Sequence, residues 1–411
     1  MKKPPSPPKI PLLGHIPAFR RDVLGLLIRS VEEYGDHILF KLGPHPVFLF
    51  NHPDDALHVL KKNAANYDKD TRSTRFLSDI AGESVLTSND KAWQQKRTHL
   101  QPAFHRKAIV GFETIMREEA QALVESWEPQ SRINASADLT TATFRIVARS
   151  LFGTDIPRDT LTSLADPIGR LLTEAFTRLG SLTGRKSKKF KQAKRQLDAV
   201  VDDVIAQRQE EPDTPDLLEL IRSGNPDPDY VHHESIAFLL AGHETTANAL
   251  SWMLAYLAQH PEEQERCVDD PEATDRAFHE AMRLSPPIWI IERHAIGEDE
   301  VASYRIPKGA SVTIPTYTLH RHPDFWDDPE TFKPDRFIDA ELHPAGYLPF
   351  GLGPRVCIGK EFALMEARLI AAALLPRFRF RLADNHHPEP DAAITLRVKG
   401  DLFLTLEDRK N

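Results

Sequence analysis

Apolar positions recur every three to four residues through most of the middle of the chain, the spacing of one buried helix face. From 92 to about 259 this period dominates, and it predicts helices over 109–127, 142–152, 161–179, 190–208 and 231–257. Further helices are predicted over 22–34 and 359–375. The two ends of the chain read differently. Segments 37–41 and 46–50 alternate or run apolar on either side of Gly43-Pro44, a hairpin signal. Pro53, followed by Asp54 and Asp55, opens a helix that fades near Asn66. Strand patterns return at 290–293 and 311–314 and in the last segment, 393–406. The periods alone predict a predominantly helical protein of mixed type.

Composition narrows this picture. No Gly/Ser linker, low-complexity run or internal repeat interrupts the 411 residues, so we expect one domain over 1–411 where length alone would allow about two or three. Hydrophobic residues at 41% and charged residues at 27% are ordinary for a globular chain. A net charge of −8 argues against nucleic acid as the main partner. Two cysteines rule out a disulfide scaffold and fit a reducing compartment. The entry segment 1–19 is rich in proline and lacks the apolar core of a signal peptide. No window approaches the roughly 18 apolar residues that span a bilayer. A cytoplasmic protein without a membrane span is expected. The basic run of Arg185, Lys186, Lys188, Lys189, Lys191, Lys194 and Arg195 reads first as a solvated helix face, with an acidic partner or anionic surface as the other reading.

The chemistry concentrates near the C-terminus. Residues 350–359 read Phe-Gly-Leu-Gly-Pro-Arg-Val-Cys-Ile-Gly, directly before a strongly helical stretch. A thiol at a helix N-terminus meets the positive end of the dipole and free backbone N–H groups, both of which favour the metal-binding thiolate. Gly351, Gly353 and Gly359 let the backbone turn close to the sulfur and leave space for a bulky planar ligand. Arg355 offers a cation to that ligand's carboxylates. A lone cysteine is ordinarily a buried structural residue, and Cys267, in a charged run without glycines, is expected as a half-exposed helical residue of no chemical role.

The cysteine loop resembles the haem-binding signature Phe-x-x-Gly-x-Arg-x-Cys-x-Gly of the cytochrome P450 superfamily, with Phe350, Gly353, Arg355, Cys357 and Gly359 at its five fixed positions. The resemblance implies a mainly α fold with small β-sheets, haem b (iron protoporphyrin IX) as cofactor and Cys357 as the iron ligand. It extends along the chain. Ala241-Gly242-His243-Glu244-Thr245-Thr246 is similar to the family's central-helix signature, in which the groove beside Gly242 accepts dioxygen and an acid–alcohol pair, here Glu244 and Thr245, delivers protons. His243, at the variable position, is expected as a supporting or surface residue. Glu280 and Arg283, three apart on a helix face, would join Arg336 in a buried ion network. Trp93 and Arg97, one helical turn apart, and Arg293, after Pro286-Pro287, would hold the haem propionates with Arg355. The family often carries glycine just before this tryptophan, where this chain has Asp90-Lys91-Ala92.

Phe76, Leu77, Phe238, Leu239, Ile288, Trp289, Ile290 and Ile291 are candidate walls of an apolar substrate pocket; core packing is the default for each. Arg72 and Arg75 could anchor a substrate carboxylate, with surface solvation the commoner fate. The resemblance implies a monomeric monooxygenase that inserts one atom of O2 into an apolar organic molecule. No dinucleotide fingerprint or fused flavin segment is present, so electrons are expected from a ferredoxin or flavodoxin with its reductase. Lys91, Lys96, His105, Arg106 and Lys107 are candidates for that docking face, ordinary solvation being an equal account. A peroxide-driven oxygenase and a non-catalytic haem sensor or electron carrier are the alternatives; neither needs Glu244 and Thr245.

Overall fold

The structure, a computed structural model, describes residues 3–129, 131–153, 157–179, 186–207, 217–383 and 386–409. Arg185 and residue 208, the far end of one predicted helix, lie outside the described residues. Ten described helices have ten or more residues: α1 Val23–Tyr34, α2 Arg72–Ala81, α3 Asp90–Leu100, α4 Glu113–Ser126, α5 Ala135–Phe152, α6 Arg158–Leu179, α7 Lys188–Gln207, α8 Pro228–Gln259, α9 Pro271–Leu284 and α10 Lys360–Leu374. Agreement with the predicted segments is closest for α1 and α10, within one residue at each end, and loosest at the start of α5, which the apolar period sets at 142.

Helix α8 is the element around which the site is built. Asp227 caps it by accepting from the Asp229 N–H, with Pro228 in the first turn. From Val231 to Leu257 most of its side chains are buried, as expected of a helix without a continuous polar face. It packs against α5 and α9, and α10 lies against α4, α8 and α9. At the crossing with α5, a Cβ on Gly242 would stand 2.4 Å from Val147 Cγ2. Glycine here leaves the room that the Val147 side chain takes. Thr143 Oγ1 donates to the His243 carbonyl across the same contact at 3.0 Å. His243 is therefore not at the surface: its ring is buried edge-on against Phe144, with Nδ1 2.6 Å from the Leu239 carbonyl.

The sheets join the two ends of the chain. The strands are β1 His37–Leu42, β2 His45–Phe50, β3 Tyr67–Asp68, β4 Arg132–Asn134, β5 Ile291–Ala295, β6 Asp299–Val301, β7 Tyr304–Ile306, β8 Ser311–Ile314, β9 Phe378–Leu382, β10 Pro390–Ala392, β11 Leu396–Val398 and β12 Phe403–Asp408. The largest sheet has the order β1-β2-β8-β5-β3, with β2 and β8 parallel and the other pairs antiparallel. The predicted hairpin forms, turning at Gly43-Pro44 between Leu42 and His45. In register, Glu292 faces Thr313 and Arg293 faces Val312. The order β4-β12-β9 makes a second sheet, and the last predicted strand segment divides into β11 and β12.

Some expectations need correction. The helix predicted from Pro53 breaks after Leu57 into a π turn, His58–Lys62, and a 3₁₀ turn, Ala64–Asn66. Helix α2 has no counterpart in the sequence reading: its apolar residues cover barely two turns, too few to show a period, and its start is set by Thr71 accepting from the Thr74 N–H. Cys267 is buried, not half-exposed, and burial pushes its thiol up to about 11. Among the described residues no helix is long and apolar enough to cross a membrane.

Candidate active site

Cys357 opens into a cavity of about 510 Å³ between the cysteine loop, α8, α2, α3 and the β5 edge. Its loop is fixed by two backbone bonds, Cys357 N–H to the Phe350 carbonyl at 2.9 Å and Val356 N–H to the Gly353 carbonyl at 3.1 Å. Gly353 has φ +74° and seats against Leu60, whose carbonyl oxygen would lie 1.9 Å from an added Cβ. Gly359 is different: a side chain there would enter open space, and its absence keeps that space free. The sulfur lies three residues before α10 and receives the Gly359 N–H. The dipole argument alone is not enough to favour the thiolate. Burial pushes the thiol up, against the downward pull of Gly359, Arg97 and Lys360. A thiolate here calls for a cation beyond those the chain supplies.

Four basic side chains line the same cavity: Lys69, Arg97, Arg293 and Arg355. Arg355 lies over the Trp93 ring at 4.2 Å and donates to the Ser88 carbonyl and to Asn89 Oδ1. Arg97 donates to the Val356 carbonyl, Arg293 to the Glu292 carbonyl and Lys69 to the Leu86 carbonyl, each at 2.8 Å. Among the described residues none of the four forms an ion pair with a carboxylate. Burial, with Arg293 and Arg355 adding to it, pushes Lys69 down to about 7. Burial and Arg355 push Arg293 down to about 10. Glu292 acts on Lys69, and Asp68 and Asp90 act on Arg355, only at longer range; cations concentrated in this way around a cavity, none in an ion pair, fit a ligand that brings its own carboxylates. With a metal-seeking sulfur on one wall and space kept open by Gly359, the residues present fit haem. Lys69 is the member of this set that the sequence did not disclose. It lies outside the motifs, and only its placement beside Arg293 and Arg355 reveals it. Asp90 enters α3 with φ +49°, so the chain makes the turn before Trp93 without the glycine usual in the resembling family.

On α8, Ala241, Gly242, Thr245 and Thr246 line the cavity. Thr245 Oγ1 donates to the Ala241 carbonyl at 2.9 Å, leaving its lone pairs toward the cavity side. Glu244 is not on the wall. Its Oε1 accepts from Thr395 Oγ1 at 2.9 Å, and Thr395 in turn accepts from Asn248. The acid and the alcohol therefore occupy adjacent positions but different faces. Below Thr246 lies Glu366 of α10, fully buried; burial raises it well above the usual carboxylate range, against the downward pull of the Thr246 hydroxyl.

The rest of the wall is apolar. Leu77, Phe238, Ile288, Trp289, Ile290 and Ile291 face the cavity, while Phe76 and Leu239 do not and belong to the core. Neighbours on a helix point about 100° apart, and here the rotation of α8 turns Phe238 to the cavity and Leu239 into the core. Arg72 lines the cavity; Arg75 turns away to Asp70 at 2.7 Å. Lys96 is withdrawn from the candidate docking face: its ammonium donates to the Glu83 carbonyl and lies 3.6 Å from the buried Glu234. Lys91, His105, Arg106 and Lys107 are exposed.

The ion network stands apart from the cavity and is closed. Glu280 Oε1 accepts from Arg283 Nη2, Arg336 Nε and the Lys333 N–H, each at 2.9 Å, while Oε2 accepts from Arg283 Nε at 2.7 Å. Arg283 also donates to the carbonyls of His320, Pro329 and Thr331, so all its N–H groups are used.

Comparison with known proteins agrees with this geometry. The family model described as Cytochrome P450 matches residues 4–403. Cyclooctatin synthase from Streptomyces melanosporofaciens is 30% identical over 95% of this chain and 93% of that protein. Cyclooctat-9-en-7-ol 5-monooxygenase from the same organism is 29% identical over 92% and 89%, and pentalenene oxygenase from Streptomyces avermitilis 27% over 98% and 97%. The crystal structure of CYP175A1 from Thermus thermophilus superposes with a TM-score of 0.85 at 28% identity, covering 99% of this chain and 100% of that one.

Proposed function

The chain belongs to the cytochrome P450 family, and on that premise we propose that it oxygenates an apolar, largely hydrocarbon molecule held against the α8 wall of the cavity. It is a haem enzyme and a monooxygenase. The observation that carries the rest is the convergence, in one cavity, of Cys357, four cations without ion-pair partners among the described residues, and Thr245 beneath an apolar roof.

When bound, haem supplies the activation of dioxygen and the transfer of one of its atoms. The residues of this chain do the following. Cys357 would supply the sulfur that binds the iron, with Gly359 N–H, Arg97 and Lys360 stabilising its negative charge. Trp93, Arg97, Arg293 and Arg355, joined by Lys69, would hold the propionates; Ala241, Gly242, Phe350 and Gly359 would shape the walls of the seat. Thr245 Oγ receives a proton and passes it on at the cavity surface. Glu244 replenishes it from outside, after release from Thr395. Leu77, Phe238 and Ile288–Ile291 exclude water and orient the substrate. The Glu280–Arg283–Arg336 network fixes the architecture behind the cysteine loop and touches no reacting atom.

Relatives whose names denote an alkene and an alkenol support a hydrocarbon substrate class. In this reading one catalytic domain spans 1–411 and works as a monomer in the cytoplasm. Electrons reach it from a separate ferredoxin or flavodoxin, whose acidic surface docks on Lys91, His105, Arg106 and Lys107. Thr245→Ala tests the oxygenase reading: haem content and substrate affinity stay as in the wild type, while product per reducing equivalent falls about tenfold and peroxide rises. Unchanged product yield per electron would remove Thr245 from its role.

A further inference from the structure

The polar groups on the cavity wall separate into three sets. Lys69, Arg97, Arg293 and Arg355 gather on the sulfur side, and Thr245 and Thr246 stand on α8. The third set belongs to neither: Thr71, Arg72 and Ser73 at the start of α2, with Glu292 on β5. Glu292 precedes Arg293 on β5 and lines the same cavity, and Lys69 feels both. Glu292 carries the one carboxylate that lines the cavity among the described residues. It accepts from Ser73 Oγ, which ties α2 to β5. Yet both residues keep part of their surface facing the cavity, where Leu77 and Ile291 are their apolar neighbours on the wall.

An ionised carboxylate has about four acceptor positions and no donor. Ser73 and Thr71 draw on it from the protein, and positions remain for a ligand that can donate. The positive charge on this wall is already answered, since Lys69 and Arg72 both act on Glu292. The wall that the two arginines suggested for a substrate carboxylate therefore presents an acid.

We infer that the cavity selects a neutral apolar molecule carrying a hydroxyl group, which donates to Glu292 beside Ser73, and that it discriminates against the carboxylate of the same skeleton. The inference deepens the apolar-substrate reading and rests on it. The hydroxyl anchors one end of the molecule at the α2–β5 wall, so the carbon presented to the reacting centre is set by its distance from that hydroxyl. Burial pushes Glu292 upward against the pull of its partners, so the preference for the alcohol should grow as pH rises, and binding is measured on the alkaline side, at about pH 8.

The test is calorimetric binding to the purified haem-loaded protein of three probes with one carbon skeleton: farnesol, farnesoic acid and farnesene. Farnesol should bind about tenfold more tightly than farnesoic acid, the size of one hydrogen bond to a charged group. In Glu292→Gln the gap should close to about threefold or less, while farnesene affinity stays unchanged. Should that variant fail to fold, Ser73→Ala decides, since it keeps the carboxylate and should keep the gap. Equal binding of alcohol and acid to the wild type, or a gap unaltered in Glu292→Gln, or lost in Ser73→Ala, overturns the inference. Farnesene binding without any preference among the probes sinks the inference alone. Absence of binding by all three sinks the apolar-substrate reading with it.

Discussion

Two clusters of basic side chains lie in this molecule, and they handle charge in opposite ways. Around Glu280, the donors of Arg283 and Arg336 are spent on one carboxylate and a ring of backbone carbonyls, and Glu280 and Arg283 have no exposed surface. On the sulfur side of the cavity, Arg293 and Arg355 depress Lys69, and Arg355 depresses Arg293, with no carboxylate in ion-pair range among the described residues. The first cluster is finished by the protein. The second has no carboxylate in an ion pair with it, and its charge faces the cavity. Compensation thus separates architecture from binding more sharply than residue type, since both clusters are built mainly from arginine.

The comparison can be broken in four places. The largest effect is expected from Glu280→Gln, which leaves two buried guanidinium groups without their carboxylate: urea unfolding should show a loss of about 3–5 kcal/mol, with and without haem. Arg293→Met should behave in the opposite sense. The ligand-free protein loses no ion pair and sheds a buried charge, so its stability should hold or rise, while haem transfer to an acceptor protein speeds up about tenfold or more. A ligand-free protein as badly damaged as Glu280→Gln would show that the cavity cations are architectural after all.

The third test is pH. Burial, with its cationic neighbours, holds Lys69 at about 7 against an ordinary 10.5. Between those values the unfolded chain keeps a proton that the folded chain has lost, so stability of the ligand-free protein rises with pH through that window. The slope is at most about 1.4 kcal/mol per pH unit. Below about 7 the penalty is complete and constant. Lys69→Met should flatten the slope, and so should haem, whose carboxylates restore the proton. The smallest effect belongs to Glu366→Gln. A carboxyl already held neutral by burial is nearly isosteric with the amide, so urea unfolding should shift by less than about 1 kcal/mol, in contrast to the same substitution at Glu280.

Much of the site was legible because its chemistry is local. The cysteine loop, the turn before α10 and the polar interruption of α8 each lie within ten residues, short enough for their resemblance to the family's signatures to place them. The mainly helical body was legible because α5, α7 and α8 carry long apolar periods. What escaped depends on pairings across the chain. Lys69 meets Arg355 far along the sequence, Glu244 finds Thr395 at a separation of 151 residues, and Lys96 turns inward because Glu234 is buried on α8. Side-chain facing was the other blind spot. Phe238 and Leu239 are equally apolar, and only the rotation of α8 against its neighbours decides which one meets the cavity. The burial of Cys267 and His243 has the same origin.

The most direct test of the central claim is the absorption spectrum of the purified protein, reduced with dithionite under carbon monoxide, beside that of Cys357→His. The account predicts the strongly red-shifted Soret band of a thiolate-ligated haem in the wild type and its loss in the variant. A wild-type protein that carries no haem after haem-replete expression, or carries it without that band, would contradict the assignment of Cys357 as the ligand.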